Sequence, residues 1–196
     1  MNKIPFFKAC LDAPMQESIT GVINLPDDDY TDIDAIMDYH QFSPSWLAPS
    51  PRLFARCAII VTEASQAGVS RIKHLPTGYC QELIDKTISK ISLYETAHKY
   101  GAAALCQAII ANINAVYQYI YLDIEVLEHA IDQVGSDHIL SRTFFGILAS
   151  QLRTQGWEGY GGDKDVKLNA FLSDPENAML LVQALANSKA QLSNAQ

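Results

Sequence analysis

The chain has few basic residues and no run of them. Lys and Arg number 14 against 22 Asp and Glu, which gives the 196 residues a net charge of −8. Without a basic patch, the chain lacks the electrostatic means to hold a nucleic-acid backbone or an anionic membrane surface. Composition therefore argues against nucleic-acid and membrane partners, and also against collagen-like and mucin-like chains.

Long apolar runs are missing too. Charges at Lys8 and Asp12 interrupt the first residues, so no secretory signal peptide is expected. The most apolar window, residues 101–122, contains Gln107, Asn112 and Asn114, whose amides are costly to place in hydrocarbon. We therefore expect a buried helix in this window and a protein of the cytoplasm or the nucleus.

Reactive motifs are scarce. The four cysteines lie too far apart in the sequence for a zinc knuckle or a redox pair. No histidine pair has metalloprotease spacing, no Gly-x-Ser-x-Gly elbow occurs, and the glycines near 159–162 lack the Gly-Lys-Ser/Thr of a phosphate-binding loop. The sequence predicts neither an enzyme nor a cofactor.

Apolar residues make up 48% of the chain, enough to bury a core. From about residue 81 onward they recur at helical spacing, and a glycine-rich break falls near 156–162. Helices are predicted near 4–12, 30–40, 81–100, 105–120, 124–134, 138–152, 165–172 and 175–188.

Capping residues indicate where several of these helices begin. Asp27, Asp28 and Asp29 supply a cap and negative charge before the second helix, and Asp123 precedes the helix at 124–134. Ser136 or Asp137 is expected to cap the next helix. Residues 173–176 (SDPE) have the pattern of a capping box.

Strand signals are few. Residues 21–26 predict a short strand between Gly21 and Pro26, and residues 57–73 could form a hairpin. The predicted fold is therefore mainly α, with at most a short strand or hairpin.

Aromatic side chains stand in places that suit contacts with a partner. Phe42, Trp46 and Phe54 lie in or beside a proline-rich stretch, and Tyr39 precedes it in the sequence. Aromatic residues beside a helical body are typical of protein interfaces, and we expect these four to contact partners. The alternating tyrosines at 117, 119 and 121 share this character, but such side chains could equally fold back over the core.

The acidic residues from Asp27 to Asp34, together with His40, allow an alternative function, a small metal-dependent enzyme. The run fails as a calcium-binding EF-hand because its sixth position is Asp32 and not glycine. Capping of a helix explains the same residues without a metal. A further alternative is a free-standing helical bundle, residues 81–188, behind a disordered front.

Two blocks of the sequence together resemble the fungal type of BTB/POZ domain. The first has the order PFFKAC at 5–10, QES at 16–18, LPDDD at 25–29 and a helix reaching Tyr39, and the second is ISLYETAHKYG at 91–101 followed by 104–106. The resemblance implies a partial, N-terminally truncated domain over residues 1–120. It would carry an atypical insertion at about 42–87 and be followed by a helical C-terminal extension over 121–196.

The family implies a module for protein–protein contact, without catalytic residues. Its members associate with themselves or with other proteins, and some serve as adaptors for a cullin-type ubiquitin ligase scaffold. The region that makes the ligase contact corresponds here to residues 40–44 (HQFSP), which depart from the family's pattern. This departure argues against ligase binding.

Overall fold

The computed structural model describes residues 4–12, 19–25, 27–42, 77–118, 120–155 and 163–193. Within these ranges the chain forms eight helices. They are α1 (Pro5–Asp12), α2 (Tyr30–Phe42), α3 (Thr77–Lys99), α4 (Ala103–Tyr117), α5 (Ile124–Val134), α6 (Ile139–Gln155), α7 (Asp163–Leu172) and α8 (Pro175–Ser193). The prediction of a mainly α fold is confirmed, while the hairpin near 57–73 lies outside the described residues.

The predicted strand near Val22 is wrong. Residues 21–25 have no regular secondary structure, and the described ranges contain no strand with which they could pair. Val22 is 66% exposed, and its backbone N–H donates to the Thr20 hydroxyl at 3.3 Å. Apolar residues form a strand only where a neighbouring strand completes the ladder of hydrogen bonds.

Local signals set the ends of α2 and α5. The Asp123 carboxylate accepts the backbone N–H of Glu125 at 3.2 Å, and α5 ends at Gly135, whose φ is 87°. At the start of α2, Asp29 accepts the N–H of Thr31 at 2.7 Å. The predicted caps at Asp123 and in the acidic run are confirmed.

The cap of α6 differs from the prediction. His138, and neither Ser136 nor Asp137, caps this helix, because its Nδ1 accepts the backbone N–H of Leu140 at 3.3 Å. The Ser136 hydroxyl and the Asp137 carboxylate are instead bonded to side chains of α8 and α6. The expected capping roles of Ser136 and Asp137 are therefore corrected by tertiary contacts.

The start of α8 also differs in detail. The Asp174 carboxylate accepts the N–H of Glu176 at 2.9 Å, so Asp174 is the capping residue. Ser173, which the capping-box pattern places in that role, donates to the carbonyl of Asn169 in the preceding helix.

The helices pack around one shared core. The central helix α3 packs against α2, α4 and α5, while α6 packs against α4, α5 and α8, and α7 contacts α5 and α8. Burying a large apolar side chain contributes about 1.5–3 kcal/mol. The largest fully buried side chains are Ile36, Ile91, Tyr94, Leu105, Ile109, Ile113, Leu122, Leu127, Leu140, Phe144 and Phe145.

The described front of the chain is part of this core. The rings of Phe6 and Phe7 contact the ring of Tyr100, with centroids 4.7 and 5.4 Å apart. Lys99 at the end of α3 pairs with Asp28 at 2.8 Å, just before α2. The described N-terminal helices are thus packed on the bundle and not separate from it.

The packing also continues past residue 120, where the predicted partial domain would end. Ile120, Tyr121 and Leu122 connect α4 to α5, and all three are buried. None of the helices in the described ranges is both long enough and apolar enough to cross a bilayer.

Candidate functional site

Of the four aromatic residues predicted to contact partners, the structure describes the side chain of one. Tyr39 is half-buried against the core, and its hydroxyl donates to the carbonyl of Ala104 at 3.3 Å. Phe42 is the last residue of α2, but its side chain, like Trp46 and Phe54, lies outside the described part of the chain. The described contacts therefore give Tyr39 a role in joining α2 to α4.

Two of the tyrosines near the end of α4, Tyr117 and Tyr121, cover the core. Tyr117 and Tyr121 are both buried, and the Tyr117 hydroxyl donates to Thr87 on α3 at 3.1 Å. Burial raises the pKa of Tyr117 above its ordinary value. Tyrosines here could either contact a partner or fold back over the core, and Tyr117 and Tyr121 pack in the core.

Two acidic residues before and within α2, Asp28 and Asp32, have separate partners. Asp28 accepts hydrogen bonds from Lys99 and Tyr100, which lower the pKa of its carboxyl group. Asp32 accepts the Thr96 hydroxyl at 3.1 Å, and partial burial raises its pKa. The described residues hold no group of three or more His, Cys, Asp or Glu side chains that could bind a metal ion, and the side chain of His40 is outside the described part.

A groove of about 850 Å³ lies between α4, α6 and α8. The end of α4 and the next turn contribute Asn114, Tyr117 and Gln118 to its lining. The α8 side consists of Leu180, Gln183, Ala184 and Asn187. We call this feature the α4–α6–α8 groove.

Helix α6 forms the floor of the groove with short side chains. Thr143, Gly146 and Ser150 follow one another along its outward face, with Phe145 and Ile147 beside them. A Cβ atom built on Gly146 would have no described atom within 4 Å, so there is open space above this point of the helix.

Arginines stand at the two ends of this floor. Arg142 and Arg153 are exposed residues of α6, and both line the groove. The described lining contains no Asp or Glu, and its remaining polar groups are amides and hydroxyls. Asp137 lies just outside this lining and pairs with Arg142 at 3.0 Å.

A buried amide maintains the shape of the groove. Gln151 on α6 is 1% exposed, and its Oε1 accepts the N–H of Leu122 at 3.0 Å. Its Nε2 donates to the carbonyls of Tyr117 and Ile120 at 3.0 and 2.9 Å. These bonds tie the turn after α4 to α6, so two walls of the groove are positioned before anything binds.

The described groove lining contains few of the groups typical of acid–base or nucleophilic chemistry. It contains no His, Cys, Asp, Glu or Lys, so the hydroxyls of Thr143 and Ser150 have no neighbouring base there. Cys106 lies in the core, where burial raises the pKa of its thiol to about 11.

A pair of imidazoles lies beside the start of α6. The rings of His98 and His138 meet edge to face with centroids 4.9 Å apart, and Tyr94 lies 5.5 Å from His138. Burial, and secondarily the charge of His98, lowers the pKa of His138. The folded state therefore favours the neutral ring of His138 that caps α6.

The groove was not predicted from the sequence. The signal available was the spacing of small residues on the face of α6 opposite Leu140, Phe144 and Leu148, with an arginine at each end. That spacing does not reveal which helices stand on either side of α6.

No family model, curated protein or solved structure matches the chain.

Proposed function

We propose that this chain is a non-enzymatic protein–protein interaction module whose α4–α6–α8 groove binds a helical segment of another protein. The resemblance of the blocks at 5–39 and 91–106 to BTB/POZ domains supports an interaction role. An adaptor role toward a cullin-type scaffold is not part of the proposal, because residues 40–44 depart from the pattern. The module would act in the cytoplasm or the nucleus, where the free thiols of Cys10 and Cys106 stay reduced.

Gly146 is the observation that carries the proposal. Glycine in the interior of a helix costs roughly 0.5–1 kcal/mol relative to alanine. Because a Cβ at this position would touch no described atom, the described packing of the chain does not call for glycine here. A partner backbone that approaches the floor of the groove would need this space.

The shape of the floor favours a helix as the occupant. Thr143, Gly146 and Ser150 lie three or four residues apart and so share one face of α6. Short side chains along such a row let a second helix approach to the usual separation of about 8–10 Å between axes. The flanking side chains of α4 and α8 would then contact the sides of that helix, as in helix-in-groove recognition.

A displayed library of alanine-based helical peptides, randomised along one face and selected against the full chain, tests the proposal. We expect selected peptides to lose at least about tenfold in affinity, or ~1.4 kcal/mol, for Gly146→Trp. Gly146→Ala should weaken binding in the same direction but less, because its single methyl group fills only part of the space above the helix. Fluorescence anisotropy with each labelled peptide measures the dissociation constants.

A second blocking variant, Ser150→Trp, keeps the test usable if Gly146→Trp misfolds. Circular dichroism shows whether each variant is folded. If the selected peptides bind the parent chain and the folded tryptophan variants equally well, they dock elsewhere and the proposal fails. It fails equally if no peptide is enriched.

A further inference from the structure

Lys90 on α3 is a half-buried cation at the contact between α3 and α4. Its Nζ donates to the Oδ1 of Asn112, a buried amide on α4, at 2.5 Å. Within the described ranges this ammonium group makes no other hydrogen bond and no ion pair. Cations removed from water are usually paired with an anion, and here the partner is a neutral amide.

Other lysines of the described chain have carboxylate partners. They are Lys86 with Glu82 at 2.5 Å, Lys99 with Asp28 at 2.8 Å, and Lys167 with Glu125 at 3.8 Å. The helix that packs beside Lys90 cannot supply such a partner, because α4 contains no charged residue from Ala103 to Tyr117. The environment of Lys90 therefore differs from that of these three lysines.

This environment favours the neutral amine of Lys90 over its ammonium form. Burial lowers the pKa of Lys90, and the positive charge of Lys86, one helical turn earlier, lowers it further. Lysines that are desolvated or lie beside another cation are the ones that act as nucleophiles in proteins. Lys99 has the opposite environment, because its hydrogen bond to Asp28 raises its pKa.

We propose that Lys90 is a modification site, at which the side-chain amine is acylated by small acyl thioesters. The ammonium group first loses a proton to water, and the neutral amine then attacks the carbonyl carbon of the thioester. A C–N bond forms and the C–S bond breaks, so that the thiolate leaves with the electron pair of that bond. The amine gives up a second proton to solvent, and nothing is oxidised or reduced.

The product fits the position better than the ammonium group does. Acylation removes a positive charge from a half-buried place where the described residues provide no carboxylate. The amide that forms keeps one N–H, which can still donate to the Oδ1 of Asn112. The contact between α3 and α4 therefore survives the modification.

Incubation of the full chain with S-acetyl-N-acetylcysteamine, a small acetyl thioester, tests the proposal. Peptide mass spectrometry then measures the acylation rate of each lysine in the same sample at pH 8. We expect Lys90 to react faster than Lys99 and Lys167 by about fivefold or more, although both of these lysines are more exposed. A rate for Lys90 no higher than that of either exposed lysine would overturn the proposal.

Asn112→Asp is the decisive variant, because it has nearly the same shape and gives Lys90 a carboxylate partner. We expect acylation of Lys90 to fall about tenfold or more in this variant, while the rate at Lys99 stays within about twofold of the parent. Gln107→Glu is the matched control, because it adds the same charge at an exposed position of α4 and should leave Lys90 as reactive as in the parent.

Circular dichroism shows whether each variant is folded. If Lys90 in folded Asn112→Asp reacts as fast as in the parent, the lack of a carboxylate does not activate the amine and the proposal is wrong. If Asn112→Asp does not fold, the comparison of Lys90 with Lys99 and Lys167 in the parent chain still decides.

Discussion

Replacing Gln151 should disrupt the junction between α4, α5 and α6 and greatly destabilise the fold. The Gln151 side chain serves three buried backbone groups, namely the N–H of Leu122 and the carbonyls of Tyr117 and Ile120. Gln151→Met keeps nearly the same volume and removes all three hydrogen bonds. The cost of this change therefore reports the hydrogen bonds with little contribution from a cavity.

The expected magnitude follows from the groups left without a partner. A buried donor or acceptor that loses its hydrogen bond costs about 1–3 kcal/mol, with a backbone N–H more sensitive than a carbonyl, which has two lone pairs. Taking ~2 kcal/mol for the N–H and ~1 kcal/mol for each carbonyl gives about 4 kcal/mol for Gln151→Met. Single domains are stable by only about 5–15 kcal/mol, so such a loss is large.

Urea unfolding followed by circular dichroism measures this change in the free energy of unfolding. Gln151→Glu serves as a companion variant, because it keeps an acceptor for Leu122 and loses both donors. Burial raises the pKa of such a carboxyl group above its unfolded value, so this variant should be more stable at acidic pH than at pH 7. A cost below about 1 kcal/mol for Gln151→Met would refute the view that these hydrogen bonds hold the junction.

Three further predictions concern single residues. Gly146→Ala should raise the stability by roughly 0.5–1 kcal/mol, because alanine favours a helix and its methyl group meets open space; a lower melting temperature would contradict this. The pKa of His138 is lowered from 6.5 by burial and by His98, so the folded state prefers the neutral ring that caps α6. The stabilisation by the neutral His138 ring is therefore present above pH 6.5. It is lost as the pH falls through the pKa that His138 has in the folded state. His138→Asn, which keeps a cap and does not titrate, should flatten the decline in melting temperature between about pH 7 and pH 5, and an unchanged slope would assign that decline to other groups. Finally, the Cys106 thiol, with its pKa raised from 9.0 to about 11, should react with iodoacetamide at pH 8 about a hundredfold more slowly than an ordinary cysteine. Peptide mass spectrometry measures the rate, and fast labelling in the folded state would show that the thiol is accessible.

The helices were predictable because their signals are local. The apolar spacing from 124 to 134, the carboxylate of Asp123 before it and Gly135 after it act within a few residues of one another. The cap of α6 was not predictable in this way. Ser136 and Asp137 are both good capping residues, and contacts with other helices engage them elsewhere, which leaves the role to His138.

The roles of several aromatic and apolar side chains depended on which distant residues pack against them. Tyrosines such as Tyr117 and Tyr121 are common at protein interfaces. Thr87 and the core surround Tyr117, however, so its role is packing. Val22 belongs to an apolar segment that would have been a strand beside another strand. In both cases the sequence offers a side chain with two uses, and a distant residue selects between them.

By itself the sequence determined that the chain is mainly helical, where most of its helices begin and end, and that its charge is strongly acidic, because periodicity, caps and composition act over short distances. Only the tertiary structure decided that α4, α6 and α8 stand together and leave a groove above Gly146, with Arg142 and Arg153 at its ends. The physical reason is that a concave surface is made by side chains far apart in the chain. Their juxtaposition depends on how the buried faces of the helices pack. A local sequence pattern does not specify which helix packs against it.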